Sequence, residues 1–157
     1  MQRDKLSSDA LSRKKEFKKK ASRLRNLNES KLDRFIHAKH EEAFRSIDCL
    51  ACANCCKTAG PRLREIDIER IAKHLKISTS EAHSKYTKID EDGDLVMKTL
   101  PCPFLGSDNY CSIYIVRPKA CREYPHTDRK NQKSLLSLHI KNTEFCPAVY
   151  HIFDDIK

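Results

Sequence analysis

The sequence predicts a small α+β domain of short helices and a β-hairpin, stapled by metal and preceded by a basic helical arm. Three observations lead there. Eight cysteines are spread over 157 residues, and four of them fall in one octapeptide, Cys49-Leu50-Ala51-Cys52-Ala53-Asn54-Cys55-Cys56. Outside them the apolar pattern breaks into short stretches separated by turn residues. The charge is lopsided: residues 1–45 carry 14 Lys+Arg and 7 Asp+Glu, the remainder 17 and 15, for a total of +9. The domain division that follows is an arm over 1–43 and a cysteine domain over 44–157.

Residues 10–47 read as helix. Leu11, Phe17, Ala21, Leu24, Leu27, Leu32, Phe35, Ile36, Ala43, Phe44 and Ile47 recur mostly at steps of three and four. Asn26, Asn28 and Ser30 favour a break at 26–30, because their side chains compete for backbone hydrogen bonds. The first ten residues are expected to fray. The cysteine-rich segment, 48–60, is expected to be loop wrapped around a centre and closed by Gly60-Pro61.

Asp67–Leu75 then forms a helix with Ile68, Ile71 and Leu75 on one face, and Ser78-Thr79-Ser80-Glu81 is a capping box that opens another over 79–87. Asp90-Glu91-Asp92-Gly93-Asp94 is a hairpin turn leading to a strand at Leu95–Lys98. It does not fit a calcium loop: Gly93 comes too early, and Pro101 stands where the closing Glu belongs. Cys102-Pro103-Phe104-Leu105 and Cys111-Ser112-Ile113-Tyr114 flank a Gly-Ser-Asp-Asn turn and read as a small hairpin with a thiol on each arm. A helical turn at 119–124 carries Cys121, Ser134–Ile140 reads as a strand, and Cys146-Pro147 opens a terminal helix.

No run of 18 apolar residues is long enough for a membrane span, and the polar start Met1-Gln2-Arg3-Asp4-Lys5 is unlike a secretory signal. The expected location is therefore cytoplasmic, where thiols stay reduced, and in that setting an even set of cysteines argues for metal over disulfides. With only three glycines and no G-x-G-x-x-G run, the chain shows no nucleotide-binding loop.

Cys49, Cys52 and Cys55 stand in the C-x-x-C-x-x-C spacing that ferredoxins use for a 4Fe–4S cluster completed by a distant Cys-Pro, and two such pairs exist here, at Cys102 and Cys146. A zinc ribbon would show two separate C-x-x-C pairs, whereas the other four cysteines here are scattered. Adjacent Cys55 and Cys56 are awkward ligands for one ion, so Cys56 serves a second centre or is a supporting thiol. Spacing leans to iron–sulfur for the first centre, with zinc close behind. Eight thiolates fill two four-coordinate sites, or one cluster with thiols to spare. The metal candidates are thus Cys49, Cys52, Cys55, Cys56, Cys102, Cys111, Cys121 and Cys146. At least one of Arg117 and Arg122, which flank Cys121, is expected to donate hydrogen bonds to the thiolates. His37 and His40 share a wet, charged helix face and are not expected to ligate. His126 is closer to the thiols along the chain.

These residues resemble the YkgJ-type cysteine-cluster family, a zinc- or iron-chelating CxxCxxCC domain. The resemblance runs over about 44–156. It takes in the cysteine octapeptide, Asp67-Ile68-Glu69-Arg70-Ile71-Ala72, Cys102-Pro103-Phe104-Leu105, Cys146-Pro147-Ala148-Val149 and, most specifically, the stretch from Cys111-Ser112-Ile113-Tyr114 through Arg117-Pro118 and Cys121-Arg122 to Tyr124-Pro125. Where many relatives carry Gly before the third cysteine this chain has Ala53-Asn54, so a left-handed turn there falls to Asn. The resemblance implies metal held by the cysteines and no established reaction. The domain is also similar to part of flagellin lysine methylases, which are associated with an iron–sulfur centre.

Three functions compete. The first is a cytosolic metal-binding module holding zinc or a 4Fe–4S cluster through its eight cysteines. The second is a redox or methyl-transfer-associated iron–sulfur component with an open metal position. The third is a metal-stabilised interaction module whose basic arm binds an acidic protein or RNA, with strong salt dependence. The first is preferred, because no nucleophile–base pair or paired catalytic carboxylates stand out. Residues 1–30 of the arm, outside the resemblance, are expected to be dispensable for holding metal.

Overall fold

The computed structural model describes residues 3–157. In chain order, α1 (Arg3–Ser12), α2 (Lys14–Arg25), α3 (Glu29–Phe44), α4 (Cys49–Cys52), α5 (Asn54–Thr58), α6 (Glu65–Leu75) and α7 (Thr79–Tyr86) lead into β1 (Thr87–Ile89) and β2 (Leu95–Met97). A 3-10 turn at Tyr114–Val116 follows, then α8 (Lys119–Glu123), α9 (Gln132–Asn142) and α10 (Pro147–Asp155). Mostly helical secondary structure with one antiparallel two-stranded hairpin makes this the expected α+β class. Among the described residues, no helix is long and apolar enough to cross a membrane. The chain divides into two compact units, one of residues 3–49 with Pro125–Lys157 and one of Leu50–Tyr124.

The first unit is helical. The helix expected over 10–47 is broken where the sequence favours it: Asn28 caps α3, its side chain accepting from the Ser30 N–H at 3.0 Å. A second interruption falls at Arg13. Instead of fraying, the start of the chain is helical from Arg3 and buries Leu6 and Ala10; Met1 and Gln2 lie outside the described residues. Residues set apart in the sequence by charge thus contribute to a packed core. Phe17, Ala21 and Leu24 are the buried face of α2, and Phe17 meets Tyr150 and Phe153 of α10 edge-on, ring centres 5.6 and 5.9 Å away. Part of the basic charge is neutralised within the unit: Arg13 pairs with Glu16 and Asp154, Lys14 with Glu144, and Lys39 with Asp155.

Ser134–Ile140, expected as a strand, lies in helix α9. Its Leu-Leu-Ser-Leu-His-Ile pattern fits either period, and the N-terminus of the helix is satisfied from far away in sequence. The Asp33 carboxylate accepts from the Asn131 N–H at 3.0 Å and the Gln132 N–H at 2.8 Å. Inside this unit His139 is fully buried. The Gln132 amide nitrogen donates to the carbonyls of His126 and Arg129, so its oxygen must accept from His139 Nε2, 2.6 Å away. That assigns the proton to Nε2 and leaves buried Nδ1 without a partner.

Burial, with a smaller repulsion from His126, lowers His139 to about 4. Because this lies below the ~6.5 of a free imidazole, the unfolded chain takes up the proton more readily. The stabilisation is complete above about pH 6.5 and declines as pH falls towards 4. Between pH 6.5 and 5 the expected loss is about 2 kcal/mol. Urea unfolding of the parent and His139→Leu at both pH values checks this: the parent should lose more stability than the variant, and equal losses would place the proton uptake elsewhere.

The second unit has its own core of Leu63, Ile68, Ile71, Ala72, Ala82, Met97, Phe104 and Ile113. Ser78 caps α7 as its sequence indicates, its hydroxyl accepting from the Glu81 N–H. β1 and β2 pair Thr87 with Met97 and Ile89 with Leu95. The turn between them is the plain hairpin expected: the Asp90 carboxylate accepts from the N–H groups of Asp92 and Asp94, and Gly93 takes φ +81°, where a side chain would be strained. Leu63 extends the hairpin, its N–H donating to Leu95 O at 2.7 Å.

Candidate metal centre

The cysteine octapeptide forms two short helical turns where a loop is expected. α4 runs Cys49–Cys52, and α5 starts at Asn54. Cys49 and Cys52, three apart in a helix, face the same side. The reversal between the turns falls on Ala53, at φ 47° and ψ 19°, and not on Asn54. Asn54 is instead buried as the first residue of α5, its carbonyl accepting from the Thr58 hydroxyl at 2.7 Å. Ala in this region costs about 1–2 kcal/mol, so the surrounding structure imposes the conformation. Cys55 and Cys56 hold their sulfurs 4.0 Å apart.

The scattered cysteines are brought in by backbone hydrogen bonds. The Cys102 N–H donates to Cys56 O at 2.8 Å, setting the Cys-Pro-Phe-Leu segment beside the end of the octapeptide. The expected hairpin over 102–114 is reduced to a single antiparallel bridge, Leu105 with Cys111, backed by Ser112 N–H to Phe104 O at 2.8 Å. Its turn closes with Gly106 N–H to Tyr110 O at 2.7 Å, and the Asn109 amide reaches back to Ala51 O at 3.0 Å. Cys102 and Cys111 thereby leave from opposite arms of one tight turn, and both pack against the core through their neighbours Phe104 and Ile113.

Cys121 lies on α8, whose start is held by a residue that sequence reasoning passed over. Asp67, fully buried, accepts at 3.2 Å from the Lys119 N–H. It also accepts from the guanidinium groups of Arg64 and Arg70 and from the Arg64 N–H. Arg70 in turn donates to the carbonyls of Val116 and Arg117 at 3.2 and 3.0 Å. Burial alone would raise the Asp67 carboxyl, but the donors from Arg64, Arg70 and the backbone outweigh it and hold it well below the usual carboxylate range. The signal for this anchor was an Asp in the first turn of a helix with Arg three residues on, ahead of an Arg-Pro.

The thiols differ in how readily they ionise. The neighbouring Cys55 thiol holds Cys56 down at about 7, against burial and with help from the Lys57 charge. Burial pushes Cys102 up to about 11, with Cys56 and Cys111 adding to the rise and the Phe104 N–H opposing it. Cys111 is also raised, chiefly by burial, with the Ile113 N–H lowering it and Cys56 raising it. Burial takes Cys121 to about 12, with Cys56, Cys102 and Cys111 contributing. Arg117 favours the thiolates of Cys111 and Cys121, while its guanidinium lies 3.7 Å over the Tyr114 ring and donates to Tyr114 O. Arg122 is exposed.

Cys49 and buried Cys146, the residue before α10, belong to the helical unit. The histidines have structural partners there: His37 bonds Arg129 O, His40 bonds the Thr127 hydroxyl, and the His126 carbonyl accepts from Gln132. None of the eight cysteines is in a disulfide. Among the described residues, no three Cys, His, Asp or Glu side chains stand close enough together to hold a metal ion as they are.

The donor chemistry nevertheless fits a soft cation. Thiols whose ionisation is opposed by burial and by one another lose that penalty when a cation binds them, and the Phe104 and Ile113 N–H groups already point at sulfur. The family model CxxCxxCC, described as a putative zinc- or iron-chelating domain, matches residues 48–147, more than half of the chain. No curated protein and no solved structure matches it.

Proposed function

The chain belongs to the CxxCxxCC family, and on that basis we propose that it is a cytosolic protein holding zinc or an iron–sulfur cluster through Cys49, Cys52, Cys55, Cys56, Cys102, Cys111, Cys121 and Cys146. What supports this reading is the family match over residues 48–147, together with the 2.8 Å bond from the Cys102 N–H to Cys56 O that sets a distant cysteine beside the octapeptide, where burial penalises a bare thiolate. Bound zinc would staple the fold, and a cluster would add electron transfer. Eight thiols outside disulfides suit a reducing compartment. Arg117, whose charge favours the thiolates of Cys111 and Cys121, is the first candidate to offset thiolate charge there. Arg122, at the same helical turn, is the second candidate for that role.

Protein purified without oxygen should carry metal in near-stoichiometric amount. Iron with equivalent acid-labile sulfide and broad visible absorption identifies a cluster, and colourless zinc-loaded protein identifies zinc. Less than about a tenth of an equivalent of either would sink the reading. Cys52→Ser should lose the metal bound through Cys49, Cys52 and Cys55 and melt at lower temperature. Unchanged metal content and melting would remove those three from the ligand set.

A further inference from the structure

We propose that the outer face of α2, widened by Lys141 of α9, is a docking surface for the phosphate backbone of double-helical RNA. The helical unit is strongly basic: residues 1–49 and 125–157 carry 19 Lys+Arg and 12 Asp+Glu. Cations on the flanks of α2 are matched within the unit, Arg13 with Glu16 and Asp154, Lys14 with Glu144, and Lys20 with Glu16. Lys15, Lys18, Lys19 and Arg23 are exposed and have no acidic partner among the described residues. Lys15, Lys19 and Arg23 repeat every four residues and so line one side of the helix. Like charges at that spacing destabilise a helix, and a polyanion lying along them removes the repulsion. Helix α9 continues the face. Lys14 with Glu144 and Arg25 with the Ser137 hydroxyl, both at 2.9 Å, tie the two helices together antiparallel. Exposed Lys18 and Lys141 fall between these ties.

The composition of the strip selects the partner. Phe17, Ala21 and Leu24, the apolar side of α2, lie in the core, so the outer face has nothing to insert into a bilayer. It also lacks the aromatic and Met anchors of a protein interface and the rings on which unpaired bases stack. α2 is flanked by α9 and, through Arg13 to Asp154 and Lys20 to Phe153 O, by α10, so it cannot sink into a major groove to read base edges. What is left is contact with a backbone. Ser22 and Asn26, exposed on the same side as Lys15 and Lys19, add neutral hydrogen-bonding groups. These suit the 2′-hydroxyls that an RNA helix displays across its wide, shallow minor groove.

Fluorescence anisotropy of labelled RNA duplexes of two unrelated sequences, and of a DNA duplex matching one of them, tests this on the full-length protein purified without oxygen. The parent should bind both RNA duplexes alike and the DNA duplex several-fold more weakly. Its log affinity should fall with log salt at a slope of about −4, from five cations. Lys15→Gln with Lys19→Gln should flatten that slope by about 2, and Lys141→Gln by about 1. Lys73→Gln with Lys88→Gln removes the same charge from exposed positions of the other unit and should leave the slope unchanged. Circular dichroism melting of the variants should match the parent, which separates lost contacts from lost fold. In the parent, lysine acetylation read by mass spectrometry should be suppressed by RNA at Lys15, Lys18, Lys19 and Lys141 but not at Lys73 or Lys88. Absence of saturable binding, an equal effect of the control pair, or protection spread evenly over all lysines overturns the surface. DNA bound as tightly as RNA overturns the choice of RNA. Binding to phosphatidylcholine–phosphatidylserine vesicles without binding to duplexes replaces RNA by an anionic lipid surface. None of these residues is a metal candidate, so loss of the metal reading would leave the surface standing.

Discussion

Asp67→Ala is expected to destabilise the cysteine unit by about 3–5 kcal/mol, the range for removing one partner of a buried ion pair. The size follows from what one carboxylate holds: two guanidinium groups, the Arg64 N–H, and the Lys119 N–H that starts the helix bearing Cys121. Its loss leaves Arg70, partly buried, facing only carbonyls. Asp67→Asn keeps the shape but removes the charge and should fall between parent and Ala. Stability and metal retention should drop together, because the anchor and Cys121 share a segment. Thermal unfolding with metal analysis checks this. Asp67→Ala that melts within about 1 kcal/mol of the parent would mean that the network is solvated and weak, as exposed pairs are. The depressed carboxyl adds a pH signature: its stabilisation is present above about pH 3.9, the unfolded value, and is lost only below it, a window separate from that of His139.

Phe17→Ala is expected to cost the helical unit about 3–5 kcal/mol, as truncation of a buried aromatic does. The ring is fully buried, lies edge-on to Tyr150 and Phe153, and carries the Arg13 guanidinium 4.9 Å from its centre. Exposed Lys18, one residue along the same helix, is the control, and its Ala variant should stay within about 0.5 kcal/mol of the parent. Circular dichroism melting should show a drop on the order of 10 °C for Phe17→Ala. An unchanged melt would restore the picture of α2 as a solvated arm, which the charge of residues 1–45 suggests and the burial of Phe17, Ala21 and Leu24 does not.

What was legible in the sequence is what short-range physics decides. The break at 26–30, the cap at Ser78, the turn at Asp90–Asp94 and the helix after Cys146 each depend on residues within a few positions. α9 reads as a strand in the sequence because its capping carboxylate, Asp33, is about a hundred residues upstream. The spacing of the octapeptide predicts loop, because ligands converging on one centre suggest irregular backbone. Two helical turns reversed at Ala53 also deliver closely spaced thiols. The ligand candidates could be read from spacing and resemblance, but not which sulfurs are neighbours. That depends on long-range backbone bonds such as Cys102 N–H to Cys56 O, and on a buried Asp67 that in sequence is one more charge on an amphipathic helix.

The division of the chain, with the cysteine unit made of one continuous stretch and the helical unit of two separated ones, imposes an order on biosynthesis. Domains fold as units while the ribosome extends the chain from its N-terminus. α1 to α3 emerge first but lack α9 and α10, whose Leu136, Val149 and Phe153 supply much of the buried surface of their unit. The stretch Leu50–Tyr124 has its whole core, the Asp67 anchor and six of the eight thiols once Tyr124 has left the exit tunnel. Nascent protein would then meet its metal before its helical unit is finished, so the supply of cation during translation, and not after release, would govern how much of the newly made protein matures.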